Sequence, residues 1–349
     1  MSLLRAHLPI PTAWCDDHGQ PTPEHFAADL RVEHTALRDG AALCDLTHQG
    51  ILTLEGPERL TFLGGLTTNQ VNDISANRTI HTTLLSPQGR FLWDFTLVAL
   101  DARLCLLTEP DRVPQLVERL LMYRLRSKVT IAQATGTLGT LAIAGPQAGS
   151  VLARLFPGLD PEAPLGTTIA PTPTQRLWRD PRHAACGFRL LAPATELPGL
   201  WDRLAAHATP VGLLAWEGHR IRHALPRGGV DFLPDQTLPL EAGGKELNMV
   251  SFTKGCYVGQ ETTARTHGRG TIKKRLHLLQ IATTGDIPPG TPVLTATGKE
   301  AGVVTSFAHL EEASLALALL RRADVIDHPD LTVAGLPATA HRPPWAAWE

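Results

Sequence analysis

The chain is predicted to fold as an α+β protein that ends in a small antiparallel β-barrel, on three observations. Between Ile51 and Ile131, strand-like apolar runs alternate with two helical repeats. A second mixed set of strands and helices runs from Leu138 to Leu240. Beyond Leu276 only short strands and turns remain.

In the first unit, Ile51–Glu55 reads as a strand that Gly56-Pro57 stops. Pro57 suits the first turn of a helix, and Leu60, Leu63 and Leu66 then recur at helical spacing. The turn Ser86-Pro87-Gln88-Gly89 pairs the runs Thr82–Leu85 and Phe91–Leu100 as a hairpin. A third strand, Arg103–Thr108, leads to a helix with Leu116, Leu120 and Tyr123 on one face, then to the strand Lys128–Ile131. Strands with two interleaved helices form a ferredoxin-like sheet. The second unit opens with the strand Leu138–Ala144 and a helix after Gly145-Pro146. A Pro-rich connection, Pro161–Pro173, precedes the strand Gly187–Leu191 and helical patterns over Leu200–His207 and Leu213–His223. The barrel strands are His277–Ile281, Pro292–Thr295, Gly302–Phe307 and Ser314–Leu320, with a turn at Thr297-Gly298.

A chain of 349 residues has room for two or three domains. A formal net charge of -2 argues against a dedicated nucleic-acid protein. The five cysteines, Cys15, Cys44, Cys105, Cys186 and Cys256, are scattered with no C-x-x-C pair, so neither a zinc ribbon nor a complete cluster-binding set can be built from them. Their odd number suggests free thiols in a reducing compartment. The apolar runs are too short to span a bilayer, Met1–Trp14 lacks a signal-peptide core, and Asp16 and Asp17 come early for a transit peptide. The cytoplasm is the expected location. No G-x-G-x-x-G opens a helix after a strand and no phosphate-binding G-x-x-x-x-G-K-[ST] is present, so no nucleotide cofactor is implied. His183 and Cys186 form an H-x-x-C pair, and two residues do not make a metal site.

The chemistry concentrates in Val250-Ser-Phe-Thr-Lys-Gly-Cys-Tyr-Val-Gly-Gln-Glu261, continued by Thr262-Thr-Ala-Arg-Thr-His-Gly-Arg-Gly270. Gly255 and Gly259 allow a tight backbone path, and Gln260–Thr266 reads as a short helix after it. Cys256, close to that helix start and two residues from Lys254, is the candidate reactive or metal-binding thiol. The alternative is a structural cysteine buried in a turn. In Phe91–Val98 the alternation puts Phe91, Trp93, Phe95 and Leu97 on one face and Asp94 on the other, with Leu92, Thr96 and Val98. A carboxylate on so apolar a strand needs a partner, either a ligand nitrogen or a buried arginine. Asn69, after the Leu60–Leu66 helix, either ends that helix or offers its amide to a flat heterocycle. Arg265, His267, Arg269, Lys273, Lys274 and Arg275 form a basic patch, either a solvated loop or a seat for an anionic tail or acidic partner.

Lys254-Gly-Cys-Tyr-Val-Gly-Gln-Glu261 resembles the K-G-C-Y-x-G-Q-E signature of the YgfZ/GcvT-like folate-binding family. Val250–Leu276 is most similar to its mitochondrial-type iron–sulfur cluster assembly branch. The resemblance runs from about Ala42 to Thr305 and includes Leu66-Thr-Thr-Asn-Gln-Val71, Gly89-Arg90 with Asp94, and Tyr123-Arg-Leu-Arg-Ser-Lys-Val129. It implies a three-domain aminomethyltransferase-like (GcvT) fold around a central tetrahydrofolate pocket. Residues 1–50 and 135–245 would form the folate-binding domain, 51–134 the ferredoxin-like insertion, and 246–349 the linker and barrel.

The resemblance also implies Asp94, Asn69, Tyr257, Gln260 and Glu241 at the tetrahydrofolate (or derivative) site, with Cys256 and Lys254 as the working pair. Cys256 would be one ligand of a shared iron–sulfur cluster, with A-type iron–sulfur carriers and [4Fe-4S] client enzymes as partners. The alternative is a tetrahydrofolate-dependent one-carbon transferase, a class that lacks the Cys256 motif. Two departures from the transferases stand out. Arg222 takes the place of a carboxylate that holds the pterin ring, and Trp93 stands where an aspartate is common.

Overall fold

The computed structural model describes residues 2–9, 13–17, 19–268, 272–311, 313–327 and 330–348. Three large sheets organise them, beside a two-stranded sheet of Ala13–Asp17 and Gln20–His25. A six-stranded sheet runs in the order Thr168–Ile169, Arg176–Arg179, Phe188–Pro193, Leu138–Ala144, Ala42–Asp45, Thr209–Val211. It is antiparallel except for its last pair. A five-stranded antiparallel sheet runs Ile80–Leu85, Phe91–Leu100, Arg103–Thr108, Gly50–Glu55, Thr130–Gln133. Residues 274–341 close a six-stranded barrel.

The central strands of the two open sheets are buried on both faces, which explains their apolar runs. Leu141, Ile143, Leu177 and Leu190 face the helices Ala148–Leu155 and Leu197–Ala205. On the five-stranded sheet, Leu52, Phe95, Leu97 and Leu106 pack against Phe62, Leu63, Leu116 and Leu120 of the helices Arg59–Gly64 and Val113–Arg124. The remaining faces meet each other: Ile51, Val98, Cys105 and Leu107 against Leu138, Trp178 and Leu191. Farther along that face of the six-stranded sheet, Cys44, Ala142 and Val211 are covered by Ala36, Leu37, Ala215 and Trp216 of the helices Leu30–Asp39 and Leu213–Arg222. The gap between these two covers is the central cavity. The barrel leans on the second of these helices through Ile221, Leu276 and Leu317.

The alternation in Phe91–Leu100 is interrupted. Leu84 pairs with Trp93 but Leu85 pairs with Phe91, so Leu92 is the extra residue of a β-bulge. Leu92 joins Trp93 and Phe95 in the helix-covered core, and Phe91 turns to pack against Phe232, with tilted rings whose centroids lie 4.2 Å apart. The expected shared face of Phe91 with Trp93 is thus corrected by one bulged residue. The barrel gains two strands not read from the sequence, Asp330–Val333 and Leu336–His341, paired across the Ala334-Gly335 turn. They complete the ring by pairing with Pro292–Thr295 and Lys274–Ile281.

Candidate functional site

The cavity between the sheets has two lobes that share Gln49, Glu109, Arg182 and Arg189. Asp94 marks one lobe. Its Oδ2 lies 3.3 Å from His81 Nε2, and His81 Nδ1 lies 3.2 Å from Thr96 Oγ1. Burial pushes the Asp94 carboxyl up, but His81 and the Arg182 charge outweigh it and hold it below the usual range. The partner required of a carboxylate on this strand is therefore a histidine, with Arg182 behind it. Gly228 covers Asp94 from the far side, where a Cβ would collide with Oδ1 and come within 2.8 Å of Cγ. Asp180 anchors the arginines: its carboxylate accepts from Arg182 Nε at 3.0 Å and lies 3.5 Å from Arg189 Nε.

The other lobe is lined by charged groups from distant parts of the chain. Arg227 Nη2 donates to both Asp17 oxygens at 2.9 Å and to Glu109 Oε2 at 2.6 Å. Arg220 Nε donates to Glu217 Oε2 at 2.8 Å and its Nη1 to Asp231 Oδ2 at 2.6 Å. His48 Nε2 lies 2.9 Å from Asp17 Oδ2. Burial pushes the Asp17 carboxyl up, but His48 and Arg227 prevail and hold it well below the usual range.

Several buried polar atoms on these walls have no hydrogen-bond partner: His48 Nδ1, His81 Nε2, Thr140 Oγ1, Trp178 Nε1 and Arg189 Nη1. For His81 the approach to Asp94 is close but poorly aligned. Buried polar atoms are nearly always paired, so five orphans converging on one cavity suit a flat, polar, hydrogen-bonding guest. The lobes are narrow, about 80 and 50 Å³.

The signature loop lies elsewhere. Neither Lys254 nor Cys256 lines the cavity that Asp94 faces. Lys254 Nζ donates to the carbonyls of Gly64 at 2.8 Å, Asn69 at 3.0 Å and Thr67, and sits 4.9 Å from the Tyr257 ring centroid. Burial pushes this ammonium down to about 8. Its three protons staple the loop to the end of helix Arg59–Gly64. Gly259, at φ +82°, nests against the hairpin turn, where a Cβ would lie 2.5 Å from the Ser86 carbonyl. These contacts leave Cys256 exposed, four residues ahead of the helix Gln260–Gly268. Of the five cysteines, all among the described residues, it alone is exposed.

Asn69 and Glu241 are both used by the fold. Asn69 Nδ2 donates to the carbonyls of His81 at 2.8 Å and Asn248 at 2.7 Å, which ties the loop to the strand. Glu241 Oε2 accepts from the Leu238 amide at 2.9 Å. Glu241 lines a separate cavity of about 380 Å³ beside the barrel, together with Lys273 and Lys274. Tyr257 is buried near Thr263, and Gln260 begins its helix half-buried. The basic patch divides: His267 stacks on Phe252 at 3.8 Å, Arg275 donates to the Leu240 carbonyl at 2.8 Å, and Arg269 lies outside the described residues. Trp93 is a core residue whose Nε1 donates to the Arg112 carbonyl at 3.2 Å. Arg222 turns away from the central cavity and lines a different one, so it brings no positive charge to the Asp94 side. Among the described residues no three His, Cys, Asp or Glu stand together as a metal site, so Cys256 has no co-ligands of its own.

Residues 10–249 match the GCVT N-terminal domain family and residues 273–348 match the CAF17 C-terminal beta-barrel domain. The chain belongs to the GCVT family. Within it the chain falls near the mitochondrial-type branch. It is 34% identical to human "Iron-sulfur cluster assembly factor IBA57, mitochondrial" over 82% of this chain and 77% of that protein. The mouse protein of the same name is 32% identical over 79% and 76%. The fold matches the crystal structure of the glycine cleavage system aminomethyltransferase T from Bartonella henselae, with a TM-score of 0.81 over 96% of this chain and 94% of that one, at 21% identity. The aminomethyltransferase-like (GcvT) α+β fold with a terminal six-stranded barrel is thereby established. The cytoplasmic expectation is corrected, because the human and mouse relatives are named as mitochondrial and point to the mitochondrion. Free thiols mark a reducing compartment without saying which one.

Proposed function

We propose that this protein supports iron–sulfur cluster assembly, of [4Fe-4S] clusters in particular, and that it binds a reduced folate in the central cavity. The assembly half rests on relatives named as assembly factors over four-fifths of the chain and on the exposure of Cys256 within the signature loop. A single thiolate cannot hold a cluster. Cys256 therefore acts as one ligand of a cluster completed by a partner, an A-type iron–sulfur carrier, before delivery to client enzymes. Lys254, Gly259 and Asn69 position that loop. A one-carbon transferase reading leaves the exposed thiol without a task.

The folate half is carried by one observation: five orphaned buried polar atoms around a cavity that also holds Asp94. Pterin is flat and carries donors and acceptors along its edges, the complement such walls require. Asp94 would accept from a ring N–H while His81 holds its carboxylate in place.

Titration with tetrahydrofolate, followed by calorimetry, tests the folate half: saturable binding that weakens in Asp94→Asn is expected, and none in the parent protein removes it. Adding a cluster-loaded A-type carrier and recording the visible spectrum tests the other half. A stable mixed complex whose cluster bands change in Cys256→Ser is expected, and identical spectra would refute the ligand role.

A further inference from the structure

The helix Val113–Arg124 buries Leu116 and Leu120 but leaves the outer side of its last turn uncovered. Of the seven large hydrophobic residues exposed among the described ones, three fall there within five positions: Leu121, Met122 and Leu125. The other four, Val32, Leu214, Leu233 and Phe252, stand far apart in sequence. We propose that this patch docks an acidic amphipathic helix of a partner protein.

Leu125 is the first reason. The Ser127 amide donates to the Arg124 carbonyl at 2.7 Å and closes a tight turn with Leu125 at its second position. There φ is +43° and ψ is -109°, a conformation that glycine adopts freely and leucine resists. The side chain is also 86% exposed, so the core does not require it. Strain and exposure both oppose a leucine at this position, and such outliers gather at functional sites. With Leu121 and the adaptable Met122 beside it, the leucine gives the partner an apolar anchor.

Charge selects the occupant. Arg124, Arg126 and Lys128 flank the leucine, and no other described residue holds their side chains in a hydrogen bond or ion pair. No carboxylate occurs between Arg119 and Val129. The acids beyond are Glu118 on the same helix, Glu55 across from Thr130, and Glu58, whose Oε2 accepts from the Lys128 amide at 3.0 Å. An anionic membrane would be repelled by these three. The patch also lacks the exposed aromatic rings of a lipid-seated surface: Tyr123 is half-buried, 5.3 Å from the Arg119 guanidinium. A second copy of this chain would set cation against cation. A partner helix, by contrast, can lay its apolar face on the three hydrophobic side chains and aim its carboxylates at the three cations. The proposal stands apart from both the folate and the cluster readings.

The test titrates the full-length protein into a labelled helical peptide with leucines along one face and glutamates on the other, read by fluorescence anisotropy. A leucine–lysine counterpart and phosphatidylglycerol vesicles are the controls. Saturable, salt-sensitive binding of the glutamate peptide is expected, and none of the lysine peptide. Binding should weaken at least tenfold in Leu125→Gly, whose urea midpoint should equal or exceed that of the parent because glycine relieves the turn. It should also weaken in the Arg124→Gln, Arg126→Gln double variant. Absence of saturable binding overturns the proposal, as does equal binding of the lysine peptide. So does undiminished binding in Leu125→Gly or in the double variant, or a lowered urea midpoint in Leu125→Gly, which would make the leucine part of the fold. Sedimentation with the vesicles and no binding of the peptide would assign the patch to lipid instead and overturn it too.

Discussion

Replacing Lys254 with methionine separates positioning from chemistry in the signature loop. The substitution keeps most of the apolar stem and removes the ammonium that holds the carbonyls of Gly64, Thr67 and Asn69. Hydrogen bonds to a charged donor contribute roughly 1.5–3 kcal/mol each, and they are not additive. Desolvation, which holds this lysine down to about 8, offsets part of the gain. A net loss of about 2–4 kcal/mol follows, concentrated where the loop meets helix Arg59–Gly64. In local opening this corresponds to roughly a 30- to 1,000-fold rise in amide exchange across residues 250–259. Hydrogen exchange read by mass spectrometry, with urea unfolding as the global control, measures both. Alkylation of Cys256 should change while far-sheet peptides stay protected. Unchanged exchange in Lys254→Met would refute the stapling argument and return Lys254 to a direct part in the chemistry.

Four further outcomes follow from the same geometry. Asp94→Asn should weaken tetrahydrofolate binding by about 1–3 kcal/mol in calorimetry, and Gly228→Ala should reproduce the loss by displacing the carboxylate it covers. Arg227→Met leaves Asp17, Glu109 and Glu217 facing one another without their shared cation, and urea unfolding should show a loss of about 3–5 kcal/mol. His223 is held down to about 4 by burial, so the unfolded chain binds the extra proton between pH 6.5 and 4. Stability is full above pH 6.5 and falls as the pH drops toward 4, by up to about 3 kcal/mol, and His223→Gln should flatten that part of the pH–stability curve. A thiol reagent should modify one cysteine quickly, Cys256, because burial pushes Cys15 up to about 11 and Cys105 and Cys186 up to about 12, and holds Cys44 well above its usual value. Peptide mapping that finds another cysteine first would contradict this.

Patterning carried the architecture wherever an apolar run was long enough to mark a strand, even where a bulge broke its alternation. Leu138–Ala144 and Phe91–Leu100 stand out as strands because burial on both faces demands continuous apolar runs. The helix Leu30–Asp39 does not, because part of its buried face is polar: Glu33 is buried where it accepts from the amides of Phe26, Ala27 and Gly212. The final barrel strands are short and acquire meaning only by closing the ring. In the site, Asp94 could be singled out because its strand is otherwise apolar. His48, Asp17, Glu109, Arg182, Arg189, Glu217 and Arg227 could not. Each is an ordinary charged or polar residue in sequence, and only the packing of the two sheets and the helix Leu213–Arg222 brings them to one cavity. The glycines of the signature were legible as turn formers. That Lys254 points into carbonyls depends on a helix end nearly two hundred residues earlier.

The most direct test of the proposed function is to replace this protein's gene copy with Cys256→Ser and assay [4Fe-4S] enzymes in the resulting cells, alongside tetrahydrofolate binding by the purified variant. The account predicts that those enzyme activities collapse while the fold and folate affinity persist, since the thiol is exposed and takes no part in the central cavity. Full [4Fe-4S] enzyme activity in Cys256→Ser cells would contradict it.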